Sequence, residues 1–534
     1  MTSVQSATAV NKIIEPAAAA ELIQDNARLY IGGSGGGHGV PERMLRAIRE
    51  RFDASGSPKS LMVTATVSIG DWDKAGLNLF DDPTLLKRIV ASGLNNTPSL
   101  STLAMQDKIE AYTLPQGALA QLTREAAAGR PGVLTKVGLH TFADPRQQGC
   151  RQSPSSTEDL VELVDIKGEE YLLYKTTPID VAIIRASVAD EHGNLTLEDE
   201  AYIGENYSVA AAAKRNGGIV IAQVQRTAAA HSLPQREVRV PGFLVDYVVI
   251  DPDQKQTYET QFSAAYAGKL RVPSGSTKPL KMDLRKVIAR RGAMELRNGA
   301  TVNIGFGVSN GITVIAAEED VYKQVTMTSE QGIVGGMPAP GKDAGAGVNY
   351  DMLVPQPDQF DFYDGGGLDV AFLSFAEVDA NGNVNVSRFG DRIIGPGGFV
   401  NISQGARKIV FSGTLTTGGL QAAPNSEGGL SIDRDGDIEK WVPKVEQITF
   451  NGQFARSRGQ EVLYITERAV FTLDDEGLIL IEIADGVDLK KHVLDRIGFN
   501  IRVADNLRKM DARIFRDQPM SLAQDLATIE GETK

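Results

Sequence analysis

Short runs of apolar and β-branched residues alternate along the chain with longer stretches whose apolar positions recur at helical spacing. Arg28 to Ile31 (Arg-Leu-Tyr-Ile) predicts a strand entering a glycine-rich turn, and Pro41 then opens an amphipathic helix over Glu42 to Phe52. Leu61 to Val67 predicts another strand, and Gly217 to Val224 a buried one. Leu284 to Leu296 predicts a helix, followed after an Asn-Gly-Ala turn by the strand Thr301 to Ile304. Strands alternating with helices predict an α/β fold with largely parallel sheets.

Two segments recur in the same order. Leu29-Tyr-Ile-Gly-Gly-Ser-Gly resembles Val302-Asn-Ile-Gly-Phe-Gly-Val, an offset of 273 (302 less 29). Asp180-Val-Ala-Ile-Ile resembles Asp369-Val-Ala-Phe-Leu, an offset of 189 (369 less 180), and both copies end in Asp-x-x-Gly-Asn, a strand–turn–strand signal. The repetition predicts two similar tandem α/β domains, residues 1–275 and 283–534. A polar linker rich in Pro, Gly and Ser joins them at 276–282, and a cleft between such domains is a natural ligand site.

Composition narrows the chemistry. Lys+Arg 55 against Asp+Glu 68 leaves a net charge of −13, unsuited to duplex nucleic acid or an anionic membrane as the main partner. One cysteine rules out an internal disulfide framework and a Cys-rich zinc site. Residues 1–20 lack the pattern of a signal peptide, and no apolar run is long enough to span a bilayer, so a cytoplasmic protein is expected, with Cys150 a bystander thiol in a loop. The five histidines, at 38, 140, 192, 231 and 492, form no H-E-x-x-H or other close ligand pair, and no serine sits in a credible nucleophile elbow. Chemistry without metal and without a triad is left open.

Three glycine-rich turns stand out. Gly32 to Pro41 lies between a strand and a helix and reads either as a tight turn or as a loop whose N–H groups meet an anion. In Thr326-Met-Thr-Ser-Glu-Gln-Gly-Ile-Val-Gly-Gly-Met-Pro, Glu330 stands at a strand end beside glycines. Spacing alone makes such a carboxylate more often a solvated turn residue than a functional one. Gly395-Pro-Gly-Gly-Phe offers backbone donors to a developing oxyanion.

Ser-Glu-Gln-Gly-Ile-Val-Gly resembles the nucleophile signature of family I CoA-transferases. Asp25-Asn-Ala-Arg-Leu-Tyr-Ile-Gly-Gly and Leu114-Pro-Gln-Gly are similar to that family's N-terminal and glutamine-turn signatures. Val240-Pro-Gly-Phe-Leu-Val-Asp-Tyr, Val442-Pro-Lys-Val-Glu-Gln and Tyr464-Ile-Thr-Glu-Arg-Ala resemble its fused, single-chain short-chain-acyl branch, and the likeness runs from about residue 11 to about residue 500. It implies the CoA-transferase (NagB/RpiA-like) fold, with coenzyme A as substrate and no permanently bound cofactor or metal. It also implies small carboxylic acids as co-substrates (acetate, propionate, butyrate or a 3-oxo acid) and a homodimer or homotetramer. By the same resemblance Glu330 is the nucleophile, Gly397 and Gly398 the oxyanion donors, and Gln116 the residue that orients glutamate or substrate. Gly35, Gly36 and His38 fall in the substrate-side loop. Two departures bear on substrate choice: Ser34 replaces an aromatic, and His38 reads as a one-residue insertion. Gln331 stands where Asn is frequent.

Carboxylate catalysis needs no general base at pH 7, which suits a chain poor in His and Cys. An acyl-CoA hydrolase using the same glutamate is the alternative within this chemistry. A NAD(P)-binding oxidoreductase built on Gly32–Gly39 is the alternative outside it, weakened by the absence of a clear acidic residue about 20 positions on within a compact β-α-β unit. A ligand sensor is disfavoured, since no DNA-binding or signalling appendage is visible.

Overall fold

The computed structural model describes residues 12–273 and 279–532, so part of the linker expected at 276–282 lies outside the described residues. In the first half, β1 (Arg28–Ile31), β2 (Leu61–Thr64), β3 (Leu86–Ala91), β4 (Glu110–Thr113), β5 (Val181–Asp190), β6 (Ile219–Ala228) and β7 (Tyr247–Ile250) pair in parallel in the order β7-β6-β5-β1-β2-β3-β4. Every residue of β5 is buried, as expected of a central strand covered on both faces. Helices α1 (Glu42–Ser55), α2 (Gln116–Ala128) and α3 (Asn206–Arg215) flank this sheet. Pro41 stands just ahead of α1, which buries Met44, Leu45, Ala47 and Ile48 and ends on Gly56 in the left-handed region.

The second half opens with α4 (Leu284–Ala293), capped by Asp283, whose side chain accepts from the N–H groups of Arg285 and Lys286. Strands β8 (Thr301–Ile304), β9 (Thr326–Ser329), β10 (Val370–Ser374), β11 (Lys408–Ser412) and β12 (Glu461–Ile465) pair in parallel in the order β9-β8-β10-β11-β12. Mostly antiparallel strands extend that sheet to ten. Helices α5 (Gln356–Asp364) and α6 (Phe399–Gly405) lie toward the first half.

The repeat seen in the sequence is a repeat in space. Leu29 of β1 pairs with Val181 of β5, and their counterparts Val302 and Val370 pair between β8 and β10 in the same register. The carboxylates that start the second motif perform the same task twice: Asp180 accepts from the N–H of Arg28, and Asp369 from the N–H of Thr301 (2.8 and 2.9 Å). Both Asp-x-x-Gly-Asn turns close alike, with Asn194 bonded to Asp190 and Asn383 to Asp379 through backbone and side chain. Equal registers and equal turns at two independent offsets argue for duplication over chance likeness.

The halves meet along α2, α5 and α6. The N–H of Gln116 donates to the Gly397 carbonyl (3.0 Å), and the N–H of Gly117 to Asn401 Oδ1 (3.1 Å). Asn401 Nδ2 in turn donates to Asp364, which also receives Gln121 Nε2 (2.9 Å). Burial pushes the Asp364 carboxyl up to about 6, against the two donating amides. Ala120 of α2 packs into the core of the second half beside Phe360 and Tyr363. In an isolated helix Gly117→Ala would gain roughly 1 kcal/mol. Here a Cβ would fall 2.6 Å from Phe360 Cδ1 and into the Asn401 amide. The substitution is therefore expected to destabilise the protein by about 1–3 kcal/mol, seen as a lower melting temperature. A higher one would contradict this packing.

Candidate active site

A cavity of about 360 Å³ lies between the carboxyl ends of the two parallel sheets, where open α/β sheets bind ligands. From the first half come Gly35 and Gly36 after β1, Val67, Ser68 and Trp72 after β2, Ser92, Gly93, Asn95 and Asn96 after β3, and Gln116 after β4. From the second come Gly305 and Phe306 after β8, Glu330 and Gln331 after β9, Leu373 and Ser374 at the end of β10, and the turn Pro396 to Phe399. Neither half encloses the space alone.

Glu330 is the first residue past β9 and is only 8% exposed. Its carboxylate accepts from Gln331 Nε2 (3.2 Å), and the amide of Asn303, a buried β8 residue whose Nδ2 reaches the Thr328 carbonyl and Tyr363 Oη, acts to lower its pKa. No cation pairs with it among the described residues. Burial accordingly pushes its pKa above the ordinary glutamate value, with the donated hydrogen bonds acting in the opposite direction. The charge is held by dipoles alone.

Gln116 is the first residue of α2 and 2% exposed; it lines the cavity, and its buried Nε2 has no hydrogen-bond partner among the described residues. The two glycines of the 395–398 turn divide their tasks. Gly397, at φ +52°, spends its N–H on the Ser92 carbonyl (2.8 Å), so the expectation that it donates to an oxyanion is corrected. Gly398 has no partner for its N–H among the described residues, and a Cβ there would stand 3.5 Å from Glu330 Cγ. It is the donor within reach.

The substrate-side loop departs from expectation at His38. Gly35 and Gly36 line the cavity, but His38 lies behind it, 1% exposed, with Nε2 3.2 Å from the Ala344 carbonyl. Burial lowers its pKa to about 4, so it is a neutral brace for the 341–346 loop and touches no substrate space. Ser34 is fully buried as well. Gly36 is packed so closely that a Cβ would run into the Lys342 carbonyl. The loop's N–H groups also turn inward: Gly37 and His38 donate to the Ser34 carbonyl and Ser34 to that of His38. These three N–H groups are spent and cannot hold a dinucleotide phosphate, which weighs against the oxidoreductase alternative.

Cys150 is fully buried and burial pushes its thiol pKa far up, so it is a core residue more than a loop bystander. His192 and His231, far apart in sequence, stand side by side on the surface with Nε2 atoms 3.2 Å apart. Sequence reasoning missed Tyr363 and Gln356, buried residues outside any motif, and gave no role to Asn303, which lies inside the repeated strand motif that starts at Val302. No helix among the described residues is long and apolar enough to cross a membrane.

A raised carboxyl pKa means that the folded state pays for ionising Glu330. That cost is present above the folded pKa and vanishes below the unfolded value of about 4.3. Glu330→Gln should therefore raise the melting temperature at pH 7, with a gain that shrinks as the pH falls toward 4. A loss of stability at pH 7 would show that the ionised carboxylate is held favourably.

Residues 13–251 match the family model described as coenzyme A transferase. The chain is 41% identical to caffeate CoA-transferase of Acetobacterium woodii over 95% of its length and 98% of that protein. It is likewise 41% identical to acetate CoA-transferase YdiF of Escherichia coli K12, over 94% of each. The crystal structure of the YdiF apoenzyme from E. coli O157:H7 superposes with a TM-score of 0.92 at 39% identity, covering 97% of this chain and 99% of that one. A thioester complex of the same enzyme with CoA gives 0.91. The chain belongs to the coenzyme A transferase family and is an enzyme that moves CoA between an acyl-CoA and a free carboxylic acid.

Proposed function

We propose that the transfer runs through Glu330 as covalent nucleophile, with short-chain carboxylic acids as its donors and acceptors. The observation that carries this is a buried carboxylate without a cation, at the meeting of both halves, facing two unspent donors. A Glu330 oxygen attacks the thioester carbonyl of the acyl-CoA, forming an acyl-glutamyl anhydride and expelling CoA thiolate. The thiolate attacks the glutamyl carbonyl, forming glutamyl-CoA thioester and releasing the first acid as its carboxylate. An acceptor carboxylate then reverses both steps.

No proton has to be moved, which is why a neutral, buried His38 and an inert Cys150 are no handicap. Burial raises the basicity of the glutamate oxygen and so its nucleophilicity. The Gly398 N–H and Gln116 Nε2 are suited to the oxyanion of the tetrahedral intermediates, each such donor being worth roughly 2.7–4 kcal/mol. Binding of the distant CoA nucleotide supplies energy for closing the halves on the reacting atoms. The curated relatives differ in their acids, one named for caffeate and one for acetate. Ser68, Ser92, Asn95 and Asn96 are polar points in a lining that is otherwise largely apolar, with Val67, Trp72, Phe306, Leu373 and Phe399, and the preference for small aliphatic acids rests on the likeness of the sequence motifs to the short-chain-acyl branch. Division at the linker into a first domain and a nucleophile-bearing second one fits the same reading, as does an assembly of identical chains.

Glu330→Ala should abolish exchange between acetyl-CoA and propionate, and intact exchange would sink the nucleophile. In the wild type, kcat/KM should fall on the acid side with an apparent pKa above the ordinary glutamate value; a flat profile would contradict the buried carboxylate. Across acetate, propionate, butyrate and caffeate, the aliphatic acids should give the higher kcat/KM. Dominant release of free CoA without an acceptor acid would instead indicate a hydrolase.

A further inference from the structure

Glu205 is a second buried glutamate, outside the cavity and unused by the chemistry above. It is 4% exposed and has no ion pair among the described residues. Its neighbours are hydroxyls. Oε1 meets Tyr30 Oη (2.9 Å) from β1 and Thr66 Oγ1 (2.6 Å) from the turn after β2, and these two also touch each other. Oε2 meets Tyr202 Oη (3.0 Å). Tyr202 Oη lies in turn 2.8 Å from Oε1 of Gln356, the first residue of α5 in the other half, and Gln356 Nε2 faces the backbone carbonyl of Glu330 (3.4 Å). The N–H of Gln356 donates to the Gly204 carbonyl (3.2 Å), so the two segments are pinned together beside this chain of contacts.

Counting hydrogens decides the protonation state. The Tyr202 oxygen sits between two oxygens, Glu205 Oε2 and Gln356 Oε1, and a phenol has one proton to give. Turning the Gln356 amide would supply a donor to Tyr202 but set its oxygen against the Glu330 carbonyl oxygen. With Glu205 ionised, one of the two contacts at Tyr202 has no hydrogen. With a proton on Oε2, every contact on the path from Glu205 through Tyr202 and Gln356 to Glu330 has one; Oε1 accepts from Thr66 and Tyr30, and the contact between those two hydroxyls alone is left without a hydrogen. A buried carboxylate with no cation is also costly to ionise.

We propose that Glu205 is a neutral carboxylic acid heading a directed hydrogen-bond relay, Glu205 to Tyr202 to Gln356 to the Glu330 carbonyl, which positions the nucleophile's backbone from the opposite half of the chain. Burial raises the Glu205 pKa, in keeping with this count. Glu205 and Tyr202 are positioning residues, since neither reaches the reacting atoms. The inference rests on Glu330 as nucleophile, but the state of Glu205 can be read without turnover.

Infrared difference spectra at neutral pH should show a protonated-carboxyl band, sensitive to deuterium, that is lost in Glu205→Gln and kept in Glu330→Gln. The band in Glu330→Gln separates this proposal from the identity of the nucleophile, because that variant need not turn over. Glu205→Gln preserves both the donor and the acceptor and should keep kcat within about threefold. Tyr202→Phe breaks the relay and should lower kcat about tenfold with KM for acyl-CoA nearly unchanged, as for loss of one buried hydrogen bond. Absence of the band in the wild type would overturn the proposal. So would a fall in Glu205→Gln equal to that in Tyr202→Phe, or a Tyr202→Phe effect confined to KM.

Discussion

Keeping a carboxylate ionised in a buried cleft without a cation is the constraint on which the rest of this molecule depends. A lysine or arginine beside Glu330 would stabilise the charge, but it would also lower the basicity on which its proposed role as nucleophile rests. The protein uses Gln331 and Asn303 amide dipoles in its place and leaves two further donors, at Gln116 and Gly398, without protein partners. Unspent buried donors are destabilising in a resting protein. Aimed at a position where negative charge develops, they stabilise the transition state without having to reorganise first.

That arrangement requires two rigid halves brought to one point. Each half carries the same pair of central parallel strands in the same register, and each uses an aspartate to tie the start of the second strand to the first. Loops after those strands face each other across the cavity. The interface beside it is polar and closely specified: Gln116 N–H to Gly397, Gly117 N–H to Asn401, and Tyr202 to Gln356. Nonpolar packing alone would tolerate sliding of one half on the other. Directed hydrogen bonds, one of them to the Gly397 carbonyl beside Gly398, do not.

Much of this was legible in the sequence, for identifiable reasons. Strands β1, β6 and β8 and helices α1 and α4 follow from local apolar pattern, and the internal repeat anticipated that β1–β5 and β8–β10 are equivalent pairs. Glu330 and Gln116 were singled out through short glycine-bearing turns, where backbone constraint leaves a strong local signature, and the fold brings both to one cavity. Gly397 could not be told from Gly398, because which N–H is spent depends on Ser92, far away in the chain. His38 looked like a substrate-side residue because adjacent glycines line the cavity, yet its ring turns toward Ala344. Tyr202, Glu205 and Gln356 sit in no motif and Asn303 only in a repeated strand, and the fold alone shows that these polar side chains are buried, the first three in one chain of hydrogen bonds.

The most direct test of a carboxylate nucleophile is chemical capture. The wild-type enzyme is incubated with acyl-CoA and no acceptor acid, treated with borohydride or hydroxylamine, digested, and its peptides weighed. A single modified peptide carrying the change at Glu330 is the predicted result. Modification at any other residue, or an unmodified Glu330 peptide in an enzyme that still exchanges CoA between acids, would contradict it.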